Sequence, residues 1–373
     1  MKKKEKYRIL HVVYAMNLGG IESWLMHLYR EVLKDNIQFD FLVFIKQNAV
    51  FDDEIRKLGG NILYGGHYKN PFSQIIISSR ILKKRNYDAV HIHNIQGAFS
   101  IFIASKLAGV ENIIFHAHND YNRKLSTTGF VEKLYLKISK KYLFPRIKTK
   151  VAVSQLAGKS YFSNSFFHYI PIGEDFTGYS TKDNMLTKKQ FNFSESDIVF
   201  THVGRFFSEK NHRFIIEIFK ELVKLSKNNV KLLLVGTGPL QDKIEKQIVD
   251  CNLQDKVLIL GNRTDIPNIL KDLTNVFLFP SLYEGLGLVM VEAQAAGIPV
   301  VCSDTLPDEG IVISELVKKV SLNVSAKEWA KITINHFENN REYSKDYALT
   351  QILNSQFNIK SSIRSLTELW IKN

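Results

Sequence analysis

Short apolar runs alternate with longer stretches in which apolar residues recur every three or four positions. The runs in the first half are Ile9–Val13, Phe39–Phe44, Ala89–Ile92, Asn112–His116 and Val151–Val153; those in the second are Ile198–Val203, Lys231–Val235, Val257–Leu260, Val276–Phe279 and Pro299–Cys302. Continuous apolar runs of this length suit strands buried on both faces, and the intervening helical periods, as in Asn211 to Lys227 and Leu240 to Cys251, suit crossover helices. The pattern predicts an α/β protein with parallel sheets. Two series of about five strands fit two doubly wound, Rossmann-like domains better than one oversized sheet. Between Pro171 and Phe193 the chain turns polar, which puts the first domain at 1–175 and the second at 176–355. Residues 356–373 read as a closing amphipathic helix.

A length of 373 residues accommodates two such cores, and 45% hydrophobic with 23% charged residues is an ordinary globular balance. Two cysteines, Cys251 and Cys302, exclude a disulfide framework. The apolar stretch after the basic start M-K-K-K-E-K-Y-R is too short and mixed for a signal peptide or membrane span, so a cytoplasmic protein is expected. The net charge of +13 changes the picture more, because it is uneven. Residues 1–175 carry 26 Lys/Arg against 14 Asp/Glu, and residues 176–373 carry 24 against 23. Much of the excess lies in Arg123 to Lys150, where Lys133, Lys137, Lys140, Lys141, Lys148 and Lys150 interleave with Phe130, Leu134, Tyr135, Leu136, Leu143 and Phe144. Such a segment suits a helix lying on anionic lipid, or an ordinary surface helix with a solvated basic face.

Ligands of open parallel sheets bind beyond the carboxyl ends of the strands, so the strand-to-helix turns carry the candidate chemistry. The richest is Y-E-G-L-G-L-V-M-V-E-A, with Glu284, Gly285, Leu286, Gly287 and Glu292. A glycine turn into a helix start favours an anion, and carboxylates beside it favour hydroxyls, a combination suited to a ligand with both phosphates and sugars. After the run ending at Val203, G-R-F-F-S-E-K-N supplies Gly204, Arg205 and Lys210. The two cations suit a diphosphate, or are solvated surface charges. V-G-T-G-P-L, with Gly238, is a tight turn of low specificity. G-N-R-T-D-I-P, with Arg263, either lines a base or ribose pocket or starts a capped helix. N-L-G-G-I-E-S-W holds Gly19 and Gly20 but lacks the G-x-G-x-x-G dinucleotide spacing. H-I-H-N (His91, His93) and F-H-A-H-N-D (His116, His118) end two strands. No Cys, Asp and Glu set with ligand spacing accompanies them, so polar contacts are expected rather than a metal.

These segments, in this order, resemble the retaining glycosyltransferases of family 4, which have the GT-B fold, and especially bacterial enzymes of capsular and exopolysaccharide synthesis. The carrying motifs are G-G-I-E at 19–22, F-H-A-H-N at 115–119, G-R-F-F-S-E-K-N at 204–211, G-T-G-P-L at 236–240 and S-L-Y-E-G-L-G-L-V-M-V-E-A-Q-A-A-G-I-P-V at 281–300. The resemblance implies two Rossmann-like domains facing across a cleft, with the final helix crossing back to the first. It implies that Arg205 and Lys210 bind the donor diphosphate, Glu284 the sugar hydroxyls, the Gly285–Gly287 backbone the phosphate, and Glu292 the ribose. His118 would lie near the reacting centre, and Gly19 and Gly20 near the phosphates or acceptor. Gly204, Gly238, Arg263 and Leu286 complete the expected donor site. It further implies a nucleotide-sugar donor, UDP-linked, no metal or other cofactor, and a lipid-linked saccharide acceptor at the inner face of the plasma membrane.

Two rivals differ in class. A basic nucleic-acid-binding module is allowed by the charge but lacks a nucleic-acid motif, and the charge avoids the second half. A GT-B nucleotide-sugar epimerase would act on the donor without an acceptor.

Overall fold

The computed structural model describes residues 6–371, apart from 18, 68–69, 123–124, 126–127 and 181–184. The chain forms two compact units, one of Met1–Glu174 with Gln356–Asn373 and the other of Asp175–Ser355. In the first, β1 (Tyr7–Val12), β2 (Ile37–Val43), β3 (Ile62–Tyr64), β4 (Ala89–Ile92), β5 (Ile113–Ala117), β6 (Thr149–Ala152) and β7 (His168–Tyr169) make one parallel sheet in the order 3-2-1-4-5-6-7. The second unit repeats the plan. Its strands β8 (Ile198–Val203), β9 (Val230–Val235), β10 (Val257–Gly261), β11 (Val276–Phe279), β12 (Val300–Ser303) and β13 (Val317–Val320) run parallel in the order 10-9-8-11-12-13.

The sheets thus hold seven and six strands rather than five each. The additional strands are β3, β7 and β13, and each is an edge strand. An edge is half solvated, so H-Y and V-K-K-V never read as apolar runs. The central strands do, because helices cover both faces.

In the first sheet the alternation of side chains divides each strand between two cores. Leu10, Val12, Val90, Ile92, Ile113 and Phe115 join one cluster, while Ile9, Val13, Ala89 and Ile114 join the other. The second cluster is closed by Trp24 from the helix Gly20–Val32 and by Leu366, Leu369 and Trp370 from the helix Ile359–Ile371. That last helix is entered through an isolated parallel bridge between Glu174 and Asn358, and it is tied down where Asn112 Nδ2 donates to the Leu369 carbonyl at 2.8 Å.

The basic segment is less regular than a single helix. Its helix spans Phe130–Ile138, widens into a π-type turn at Ser139–Leu143 and tightens at Phe144–Arg146, where Pro145 ends helical bonding. Arg123 lies outside the described residues. No helix among the described residues is long and apolar enough to cross a membrane.

Candidate active site

Strand order in the second unit reverses between β8 and β11, so the loops after these two neighbours open side by side. The β8 loop is pinned to its other neighbour: Gly204 N–H donates to the Val235 carbonyl and Phe206 N–H to the Thr237 carbonyl, both at 2.9 Å. A Cβ on Gly236 would lie 2.2 Å from the Gly204 oxygen, and one on Gly238 2.6 Å from the Phe206 oxygen. These contacts, and φ of +135° at Gly236, require glycine. The β11 loop is fastened from the opposite side, by Asn211 Nδ2 to the Pro280 carbonyl at 3.0 Å and Leu282 N–H to the Glu209 carbonyl at 2.8 Å.

Between the two stapled loops, Lys210 Nζ donates to Glu284 Oε1 at 2.6 Å. Their side chains are only 19% and 12% exposed, and the ammonium sits 5.5 Å from the Phe279 ring centre. The sequence put the two residues in separate strand-to-helix turns, with separate ligand contacts implied by the family resemblance. The structure instead joins them as a shielded ion pair, because adjacent strands deliver both to one point. Arg205 is exposed, its guanidinium 5.0 Å from the Phe207 ring centre, and among the described residues no carboxylate pairs with it.

Gly287, at φ +73°, turns the chain into the helix Leu288–Ala295; a Cβ there would meet Phe279 at 3.0 Å. A Cβ on Gly285 would meet nothing within 4 Å, so the backbone there lies beside open space. Leu286 is buried. Glu292 follows within the helix, partly buried, and its Oε1 accepts from the Tyr179 hydroxyl at 3.4 Å. Burial pushes this carboxyl up to about 7, against a small opposing effect of the tyrosine bond. Gln294 braces the neighbouring turn, donating to the Met290 and Gly310 carbonyls and accepting from Val312 and Ile313 N–H. In that turn Asp308 pairs with Lys319 at 2.6 Å.

Arg263 is occupied locally. Its guanidinium grips Asp265 with both prongs, at 2.8 and 2.6 Å, and holds that carboxyl below its usual range. Asp265 precedes the short helix Ile266–Asn268 but makes no side-chain cap there.

In the first unit, Gly19 precedes the helix Gly20–Val32 in an extended conformation, and the Glu22 carboxylate folds back over it, with burial raising that carboxyl. A Cβ on Gly20 would meet nothing within 4 Å. His118 lies beyond β5, partly buried, and its Nε2 sits 2.9 Å from His93 Nδ1. His116 is fully buried in the sheet face, so of the two it is His118 that retains access to solvent. The pairs at 91/93 and 116/118 share one face of the sheet, as alternation requires. A fifth histidine joins them from β1: His11, in register with His91, has Nδ1 at 2.9 Å from His93 Nε2. Reading the turns missed it because it sits inside the apolar run of β1, before the turn begins. Tyr179 was missed as well, lying in a polar stretch with no motif around it.

The profile "Glycosyltransferase Family 4" matches residues 18–163, and "Glycosyl transferases group 1" matches residues 183–350. The chain is 32% identical over 336 residues to EpsF of Bacillus subtilis, a protein assigned as a glycosyltransferase, covering 87% of this chain and 86% of that one. It is 29% identical over 334 residues to the Escherichia coli UDP-Gal:alpha-D-GlcNAc-diphosphoundecaprenol alpha-1,3-galactosyltransferase, covering 83% and 82%. Among solved structures, a glycosyltransferase from Rickettsia africae superposes with a TM-score of 0.81 at 20% identity, over 99% of this chain and 100% of that chain. HepE of Anabaena, crystallised with UDP and glucose, gives 0.75 at 18% identity, over 97% and 98%. With its paired Rossmann-like units and relatives along nearly its whole length, the chain belongs to the family 4 glycosyltransferases of GT-B fold.

Proposed function

We propose that the protein is a retaining hexosyltransferase that moves a sugar from a UDP-sugar to a lipid-linked saccharide in capsular or exopolysaccharide synthesis. The observation that carries this reading is the Lys210–Glu284 pair, set beside Arg205 and the Gly285–Gly287 turn at the strand-order reversal. Cleaving a sugar–phosphate bond leaves positive character at the anomeric carbon and negative charge on the departing diphosphate. Arg205, Lys210 and the helix start at Leu288 stabilise that charge without a metal. A bound donor releases the pair to separate tasks, Lys210 to the diphosphate and Glu284 to the sugar hydroxyls, while Glu292 takes the ribose. Gly204, Gly238 and Leu286 shape the turns around the donor. His118 serves the sugar, and Gly19 and Gly20 the phosphates or acceptor. Arg263 enters the donor site only if it lets go of Asp265. The attacking acceptor oxygen approaches the face the diphosphate leaves, and a phosphate oxygen takes its proton, so Glu284 need not act as a covalent nucleophile.

UDP as the nucleotide is supported by the E. coli relative, named for a UDP-Gal donor, and by HepE, crystallised with UDP. The lipid-linked acceptor is supported by that same relative, named for a diphosphoundecaprenol substrate, and the pathway by CapH of Staphylococcus aureus, named for capsular polysaccharide biosynthesis. The expected location is the inner face of the plasma membrane. The helix Phe130–Ile138 favours it: Phe130, Leu134 and Ile138, one turn apart, are exposed, as is Tyr142, with Lys137 and Lys141 exposed beside them.

The test is the thermal shift of the full chain across nucleoside diphosphates and their sugars, without metal. UDP and one UDP-sugar are expected to raise Tm, and Lys210→Ala to remove that shift. Because Lys210→Ala also strands the Glu284 carboxylate, the quantity read is the ligand-induced shift, not the baseline Tm. No shift with any nucleotide, or one that persists in Lys210→Ala, would overturn the assignment.

A further inference from the structure

The sheet face beneath Trp24 and Trp370 carries five histidines, His11, His91, His93, His116 and His118, with no carboxylate hydrogen-bonded to their rings among the described residues. Burial holds all five neutral through the physiological range, pushing His11 and His118 down to about 3. A neutral imidazole has one N–H and one lone pair, so each bond between rings constrains the next.

Three rings are joined in series, His11 Nδ1 to His93 Nε2 at 2.9 Å and His93 Nδ1 to His118 Nε2 at 2.9 Å. With one proton on His93, only two arrangements satisfy both bonds. Either His118 donates from Nε2, His93 donates to His11, and His118 Nδ1 is left as an acceptor. Or His11 donates from Nδ1, His93 donates to His118, and His118 Nδ1 carries the proton. The far ends of the chain, His11 Nε2 and His118 Nδ1, are shielded from solvent and have no partner among the described residues. Moving from one arrangement to the other shifts a proton along each bond and also needs a proton gained at one end nitrogen and lost at the other, so shielding of the two ends opposes the exchange.

We propose that His93 is a positioning residue which, with His11 behind it, fixes the ring orientation of His118 and which of its two nitrogens carries the proton. The consequence for catalysis rests on the reading above that His118 serves the donor sugar. That sugar offers hydroxyls, which accept or donate, and a ring whose tautomer is set in advance need not reorganise when charge develops.

A metal is the competing use of such a cluster, since two trios, His11/His91/His93 and His93/His116/His118, bring ring nitrogens within 4.8 Å of one another. The first is opposed by tautomer chemistry. Trp370 Nε1 can only donate, and it donates to His91 Nδ1 at 3.1 Å, so neutral His91 carries its proton on Nε2 and has no lone pair left for an ion. The second would require His93 to give up one of its two ring-to-ring bonds, since a ligating nitrogen has no lone pair or proton left for the neighbouring ring.

The experiment is nitrogen-15 NMR of the full chain labelled at histidine, reading the tautomer of each of the 11 histidines. In the wild type His118 is expected as a single tautomer. In His93→Phe it is expected to become a mixture, while His93→Gln, which keeps one donor and one acceptor, restores most of the single form. If His93→Phe does not fold, His11→Phe removes only the distal partner, and the same loss of a single tautomer is expected at His118. An unchanged His118 signal in a folded variant overturns the proposal, as does a wild-type spectrum that shifts on adding or chelating zinc. Turnover separates this from the reading beneath it. His93→Phe should lower kcat at least tenfold with donor KM within about twofold. A changed tautomer with unchanged kcat would leave the chain of rings standing and remove His118 from the chemistry.

Discussion

At Glu292 a carboxyl is held in the half-buried wall of a helix, accepting a long bond from Tyr179 at 3.4 Å. Its pKa of about 7 lies above that of the unfolded chain. Between those two values the folded state binds more protons than the unfolded one, so stability falls as pH rises through this window and the penalty is complete above about 7. Glu292→Gln is therefore expected to raise Tm at pH 8, by an amount worth on the order of 2 kcal/mol, and to change little at pH 4.5. If Glu292 also accepts from ribose hydroxyls, binding must draw it into its ionised form. UDP affinity should then increase from pH 6 to pH 8 in the wild type and lose that slope in Glu292→Gln. Calorimetric titration at the two pH values checks this. A site that improves binding where it weakens the fold is a common bargain between stability and function. The glutamate itself was legible in the sequence, as was its seat in a glycine-led helix. Its buried, proton-holding state was not, since that depends on Tyr179 arriving from a motif-free stretch more than a hundred residues earlier.

Secondary elements explain which parts of the site could be read directly. Gly204 to Lys210 and Pro280 to Gly287 each follow an apolar run, so their place at strand ends was visible in the periodicity. What periodicity does not carry is strand order, and it is order that sets β8 beside β11 and closes the Lys210–Glu284 pair. The edge strands β7 and β13 escaped because H-Y and V-K-K-V carry little apolar signal, and β3 because I-L-Y, though apolar, is only three residues long. The helix Phe130–Ile138 shows a third case: its exposed apolar stripe, Phe130, Leu134 and Ile138, is plain in the sequence, but its lysines do not act alike. Lys140 is committed to the Ser160 carbonyl at 2.7 Å and to the Tyr121 ring, whereas Lys137 and Lys141 are exposed. On anionic vesicles, Lys137→Glu with Lys141→Glu is expected to cut binding at least tenfold, and Phe130→Ser with Leu134→Ser to cut it on anionic and neutral vesicles alike. Cosedimentation with phosphatidylglycerol and phosphatidylcholine vesicles measures both. Equal binding by all three proteins would remove this helix from the membrane contact.

For the molecule as a whole, the closing helix decides how the two units depend on the chain. Residues 359–371 bury Leu366, Leu369 and Trp370 against the first sheet, and Trp370 also satisfies His91. An amphipathic period at the end of a sequence announces a helix without saying which unit it covers. Here that was expected only from the family resemblance, and the core cluster shows it covering the first. Trp370→Ala removes a fully buried indole and the donor of the His91 bond together, a loss of about 3–5 kcal/mol. In urea, monitored by hydrogen exchange, the protection of β1 and β4 is expected to collapse at lower denaturant than in the wild type, with β8 and β11 little changed. Equal loss in both units would mean that they unfold as one.

The return of that helix has a consequence in time. During synthesis the first sheet emerges early, but one of its covering layers is made only after the whole of Asp175–Ser355 has been translated. At roughly 5–20 residues per second, the face bearing Ile9, Phe39 and the histidines waits on the order of ten seconds or more for its cover. A nascent chain stalled before residue 359 should accordingly offer a sticky, half-dressed sheet to chaperones, whereas the second unit is uninterrupted in the chain and waits for no later segment to complete its core.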